Sequence, residues 1–121
     1  MPHFHAVVWI DHKEAKIFHF NAQEADKLTL QAHHPKLAEK HHTDENFFHA
    51  VAKSCAESGE VLITGPSRTK LDFVKHIARH DPHLLSRIAG VESADHPTDG
   101  QILAHARAYF ATHDHMTPQK V

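Results

Sequence analysis

Very short links between its first strand-like segments constrain this chain more than any other feature. Phe4 to Ile10 is rich in apolar and β-branched residues, Asp11-His12-Lys13-Glu14 is a polar turn, and Ala15 to Phe20 reads as a second strand. Asn21 to Glu24 turns the chain again, and Ala25 to Ala32 alternates Leu28 and Leu30 with Lys27, Thr29 and Gln31. Links this short join antiparallel neighbours, because a parallel return needs a crossover of about a dozen residues or more. The opening of the chain is therefore a meander.

After His33 to His42, a polar stretch that contains Pro35 and reads as a loop, the apolar period lengthens. Thr43-Asp44-Glu45-Asn46 has the character of a helix start, and Phe47, Phe48, Val51, Ala52 and Cys55 recur at helical spacing until Gly59. Glu60 to Thr64 is a buried strand. Ser67 to about His80 is a helix expected to turn Leu71, Val74, Ile77 and Ala78 inward, and Asp81-Pro82 breaks it. A helical turn or two from Pro82 to Ile88 and a short strand from Ala89 to Glu92 follow. Thr98 and Gln101, at capping-box spacing, open a last helix with Ile102, Leu103, Ala106, Tyr109 and Phe110 on its apolar face. In the order β-β-β-α-β-α-β-α, strands separated by helices are parallel, with right-handed crossovers. The expected fold is α/β, a mixed five-stranded sheet flanked by helices in a ribonuclease-H-like topology. Residues 1–111 are read as one domain and 112–121 as a polar C-terminal tail.

Composition narrows the function classes. The longest wholly apolar run, Ala6 to Ile10, is far too short to span a bilayer, so no membrane partner is expected. Met-Pro-His-Phe-His lacks the layout of a secretory signal, and the single Cys55 excludes an internal disulfide, which makes the cytoplasm the expected compartment. Histidine is the anomaly, at 16 of 121 residues. Roughly a quarter of exposed imidazoles are charged at pH 7, which lifts the formal net charge from −2 to around +2. Neutral-pH charge alone therefore neither excludes nor requires a nucleic-acid partner.

The chemistry-bearing stretch is Val61 to Phe73, where Val-Leu-Ile-Thr runs into Gly65-Pro66-Ser67-Arg68-Thr69-Lys70. A helix start presents unpaired N–H groups at the positive end of the dipole, a natural place for an anion. Ser67, Arg68, Thr69 and Lys70 are the candidate phosphate- or RNA-binding residues, extended along the helix by Lys75 and Arg79. The same residues also suit a plain strand-to-helix turn with Ser67 or Thr69 as cap. A nucleotide P-loop needs a second glycine and a Lys-Ser/Thr pair, and this stretch has neither.

Several segments together resemble a known family. Ala6 to Ile17 resembles the opening hairpin of the middle domain of archaeal and eukaryotic class-1 peptide-chain release factors and of Pelota. Val61 to Phe73 resembles that domain's strand–Gly-Pro–Thr-Lys–helix corner, including the Phe three residues after Lys70. Leu84 to Glu92 resembles its Leu…Ile-x-Gly strand approach, and Thr98-Asp99-Gly100 stands where the family has a Thr-Gly-Glu type helix start. Small bacterial Pelota-like or translational-machinery proteins share the pattern, and the resemblance covers residues 5–111. It implies a translation-associated protein with the ribosome or RNA as partner. Release factors hydrolyse peptidyl-tRNA with a Gly-Gly-Gln loop between the third strand and the first helix. Here the glycines are Gly59, Gly65, Gly90 and Gly100, so that chemistry is absent and the expectation is a non-catalytic accessory protein without cofactor.

Two readings from other classes stand beside it. His76 and His80, one turn apart on a helix, with His83 close by, form a candidate weak metal site, and adventitious zinc or nickel is expected on so imidazole-rich a surface. A histidine-rich metal-binding protein is thus one alternative. A cryptic hydrolase or nuclease on the ribonuclease-H-like scaffold is the other, with Asp11 and Glu92 at strand ends as its acids. Cys55 reads as a buried inert thiol. Of the Phe47-Phe48 pair, one ring is expected in the core and the other at a surface contact or in a homo-oligomer.

Overall fold

The computed structural model describes residues 5–32 and 45–116. The expected loop at 33–42, the Thr43-Asp44 helix start and the last tail residues lie outside them.

Strands β1 (His5–Ile10), β2 (Glu14–Phe20) and β3 (Ala25–Gln31) form the meander. Both of its turns use one device. Asp11 Oδ1 accepts from the amides of Lys13 and Glu14 at 2.8 and 2.9 Å, and Asn21 Oδ1 accepts from Gln23 and Glu24 at 2.9 and 2.8 Å. Short side-chain carbonyls thereby satisfy the turn amides and pin the register. Helix α1 (Glu45–Cys55), β4 (Glu60–Gly65), α2 (Thr69–His80), a 3-10 helix (Pro82–Arg87), β5 (Ile88–Ser93) and α3 (Asp99–Met116) follow.

The strands form one five-stranded sheet in the order β3-β2-β1-β4-β5. β1 pairs antiparallel with β2 and parallel with β4, and β4 pairs parallel with β5. The mixed α/β sheet deduced from connection lengths is the one observed. Alternation along β1 divides the core between the two faces. Ala6, Val8 and Ile10 join Phe47, Phe48, Val51, Phe73 and Ile77 beneath α1 and α2. Val7 and Trp9 join Phe18, Phe20, Leu62, Ile102, Ala106 and Phe110 beneath α3. Trp9 also donates its indole N–H to the carbonyls of Ala94 and Asp95, at 3.3 and 3.1 Å.

The capping box is formed as expected: Thr98 Oγ1 accepts from the Gln101 amide at 3.1 Å while Gln101 Oε1 accepts from the Thr98 amide at 2.9 Å. Other details differ from expectation. Leu71 and Ala78 are exposed, because the inward face of α2 is set by Phe73 and Ile77 together with Lys70 and His76. Both phenylalanines of the pair are buried, Phe48 lying against Phe73 and His76 and not at a surface contact. α3 runs on to Met116 rather than giving way to a tail at 112, since no helix breaker occurs before Pro118.

Candidate nucleic-acid interface

β4 delivers the chain to the candidate corner and β1 shapes it. A Cβ added at Gly65 would collide with the carbonyl oxygen of Ile10, so the glycine is required by close backbone approach at the end of the neighbouring strand. Arg68 then takes the N-cap position of α2 with φ −74° and ψ −9° and makes no side-chain cap. Neither Ser67 nor Thr69 caps, contrary to the turn reading; their hydroxyls lie 3.4 Å from each other. The amine of Lys70 serves the corner instead, donating to the Ser67 carbonyl at 2.7 Å.

That contact separates the six candidate residues. Lys70 is only 8% exposed, its stem lying in the core side of the helix and its charge committed to the turn. Ser67, Arg68, Lys75 and Arg79 are exposed and Thr69 is half-buried. Arg68, Asp72, Lys75 and Arg79 follow at steps of four, three and four residues, the spacing of a single helix face. Half-buried Asp72 sits 3.7 Å from Arg68, whose guanidinium is exposed, so the pair holds that guanidinium weakly. The exposed cations thus form a stripe roughly 16 Å long at 1.5 Å rise per residue. Beside it, a shallow depression of about 70 Å³ lies between Glu45, Asp72, Lys75, His76 and Arg79. Such cations neutralise phosphates at little desolvation cost, and their attraction is readily screened.

A larger cleft, about 610 Å³, opens beyond the carboxyl ends of β4 and β5, lined by Thr64, Glu92, Ser93, Pro97 and Gln101 among others. Glu92 Oε1 lies 2.6 Å from His105 Nε2 at this cleft, and among the described residues no lysine or arginine lines it. It is unsuited to a polyanion.

The acids of the nuclease reading are employed otherwise. Asp11 is the acceptor of its turn and Glu92 faces His105. Among the described residues, neither joins a group of three or more metal-capable side chains. Burial pushes the Cys55 thiol up to about 11, which leaves it protonated and unreactive at neutral pH.

His76 and His80 do converge, on a residue from another helix: Glu45 Oε1 lies 2.9 Å from His76 Nδ1 and 3.4 Å from His80 Nε2. His49 and Asp81 approach His76 as well. His83 is exposed and belongs to neither group. Glu45, His49 and Asp81 were not singled out as metal ligands by the sequence. The signal was there in two four-residue spacings, Glu45–His49 and His76–His80, on helices flanking the same short strand.

No protein-family model and no curated protein matches this sequence. Solved structures share its fold at low identity. Pelota of Archaeoglobus fulgidus aligns with TM-score 0.67 and 13% identity, covering 87% of this chain and 31% of that one. An archaeal translation termination factor, aRF1, aligns with TM-score 0.62 and 15% identity, covering 91% and 40%. Dom34 of S. cerevisiae, a translation termination-like factor involved in RNA quality control, aligns with TM-score 0.62 and 9% identity, covering 85% and 31%. The likeness is one of fold, that of a Pelota/release-factor-like domain, and this chain spans about a third to two fifths of the length of each.

Proposed function

We propose that this chain is a non-catalytic, translation-associated accessory protein of the cytoplasm that docks on the ribosome through RNA phosphates. The observation that carries the reading is the row of exposed cations Arg68, Lys75 and Arg79 along one face of α2. That helix begins at the strand-to-helix corner of a fold shared with a translation termination factor and with a termination-like factor of RNA quality control. The absence of Gly-Gly-Gln from the sequence, the employment of Asp11 in a turn and the high thiol pKa of Cys55 all favour binding over hydrolysis. Docking rests on charge neutralisation, so it must weaken as salt rises.

Co-sedimentation with purified ribosomes at low and high potassium chloride tests this. The protein should pellet with ribosomes in dilute buffer and return to the supernatant at several-fold higher salt. A protein that stays in the supernatant even in dilute buffer overturns the proposal.

A further inference from the structure

Among the described residues, two buried polar atoms at the junction of α1 and α2 have no hydrogen-bond partner. His76 is 6% exposed and packs edge-on against Phe48, ring centroids 5.7 Å apart. Its Nδ1 lies 2.9 Å from Glu45 Oε1, while its Nε2 is buried and has no hydrogen-bond partner. A carboxylate at Nδ1 holds the ring proton there, so the neutral imidazole carries its lone pair on Nε2. Asp81 Oδ2 is likewise buried without a partner. Asp81 is also the C-cap residue of α2, where the helix dipole disfavours a carboxylate. The exposed His49 of α1 supplies a third donor, and the ligand atoms of His49, His76 and Asp81 all lie within 4.8 Å of one another.

Buried acceptors left unpaired on two residues whose ligand atoms cluster within 4.8 Å call for a donor or a cation there. We propose that His49, His76 and Asp81 bind one divalent transition-metal ion, zinc being the best fit, with Glu45 as the positioning residue that orients His76. Two imidazoles and a carboxylate are a donor set for zinc, nickel or copper rather than magnesium or calcium. Tetrahedral bonds of about 2.0–2.1 Å place neighbouring donors roughly 3.4 Å apart, within reach of small side-chain rotations from the observed spacing. The carboxylate behind the histidine is the arrangement that fixes tautomer and ring direction in such sites. Glu45, His76 and His80 also converge, but an ion there would have to displace the contact that Glu45 makes with Nδ1, so the Nε2 side is favoured. The ion would tie α1 to the end of α2, and this site stands whether or not the α2 stripe binds RNA.

The test is a zinc titration of tag-free full-length protein against a chromophoric chelator, followed by thermal melts with and without zinc chloride. Wild type should bind one equivalent ahead of any weaker surface sites and melt at higher temperature with zinc. His49→Ala, an exposed position, and the isosteric Asp81→Asn should each lose that equivalent by at least tenfold in affinity and lose the shift. Glu45→Gln should weaken it by roughly 10–100-fold, and His83→Ala should leave it unchanged. Binding that is equal in wild type, His49→Ala and Asp81→Asn would mean scattered surface histidines and overturn the site. So would the lack of any saturable equivalent in wild type, in which case a bridging water satisfies the two acceptors.

Discussion

Lys70 offers the sharpest trial of the α2 stripe, because sequence gives it the same standing as Lys75 and the structure does not. The stripe presents three exposed cations, Arg68, Lys75 and Arg79. Each phosphate neutralised on single-stranded nucleic acid adds about −0.7 to the slope of log K against log salt. Three contacts give a slope near −2.1, an affinity loss of about 18-fold between 50 and 200 mM salt on that basis. Lys75→Gln combined with Arg79→Gln should flatten the slope to about −0.7 and the loss to about threefold. Lys70→Met should leave the slope near −2.1, because that amine is buried and already donates to the Ser67 carbonyl. Its cost should appear as stability instead, about 1.5 kcal/mol for a charged hydrogen bond. The assay is fluorescence anisotropy of a labelled single-stranded RNA across a potassium chloride series, with urea melts run in parallel. If Lys70→Met flattens the slope as much as Lys75→Gln alone, the separation of the two lysines is wrong.

Gly65→Ala should destabilise by about 1–3 kcal/mol, since the atom that its methyl group meets is backbone and cannot swing aside; a urea midpoint equal to wild type would contradict this. Thr98→Ala removes half of the reciprocal cap on α3 and should cost about 1 kcal/mol in the same melts. Asp99, hydrogen-bonded to Lys27 at 2.5 Å and 3.6 Å from Lys16, has its carboxyl held below the usual range chiefly by Lys27. A folded-state pKa below the unfolded one stabilises above the unfolded value, near 3.9, and the contribution fades as pH falls through the folded value. Asp99→Asn should therefore lower stability at pH 7 by less than about 1 kcal/mol, the site being exposed, and match wild type in strong acid; a difference that persists there would refute the ion pair as cause.

The sheet was legible because connection length dictates strand direction: turns at Asp11–Glu14 and Asn21–Glu24 permit only antiparallel neighbours, and intervening helices return β4 and β5 parallel. The Thr98/Gln101 cap was legible because its chemistry is local. The phase of α2 was not. Of the expected inward positions 71, 74, 77 and 78, Ile77 is buried and Val74 half-buried, but the face is rotated toward 70, 73 and 76 and includes a lysine, whose buried stem is invisible to a count of apolar letters. The convergence of Glu45, His49, His76 and Asp81 was hidden for a different reason. The four-residue spacings Glu45–His49 and His76–His80 mark one face of each helix, but that those faces meet depends on how the two helices lie across the sheet.

The strand order also bears on how the chain is made. β1 sits in the middle of the sheet, and its parallel partner is distant in sequence, His5 standing opposite Glu60. At about 5–20 residues per second of synthesis, roughly 3–11 seconds pass before that partner emerges. Through that interval the meander can zip by its antiparallel edge alone, and the apolar rim from Ala6 to Ile10 waits uncovered, a segment for chaperones to shield until β4 arrives.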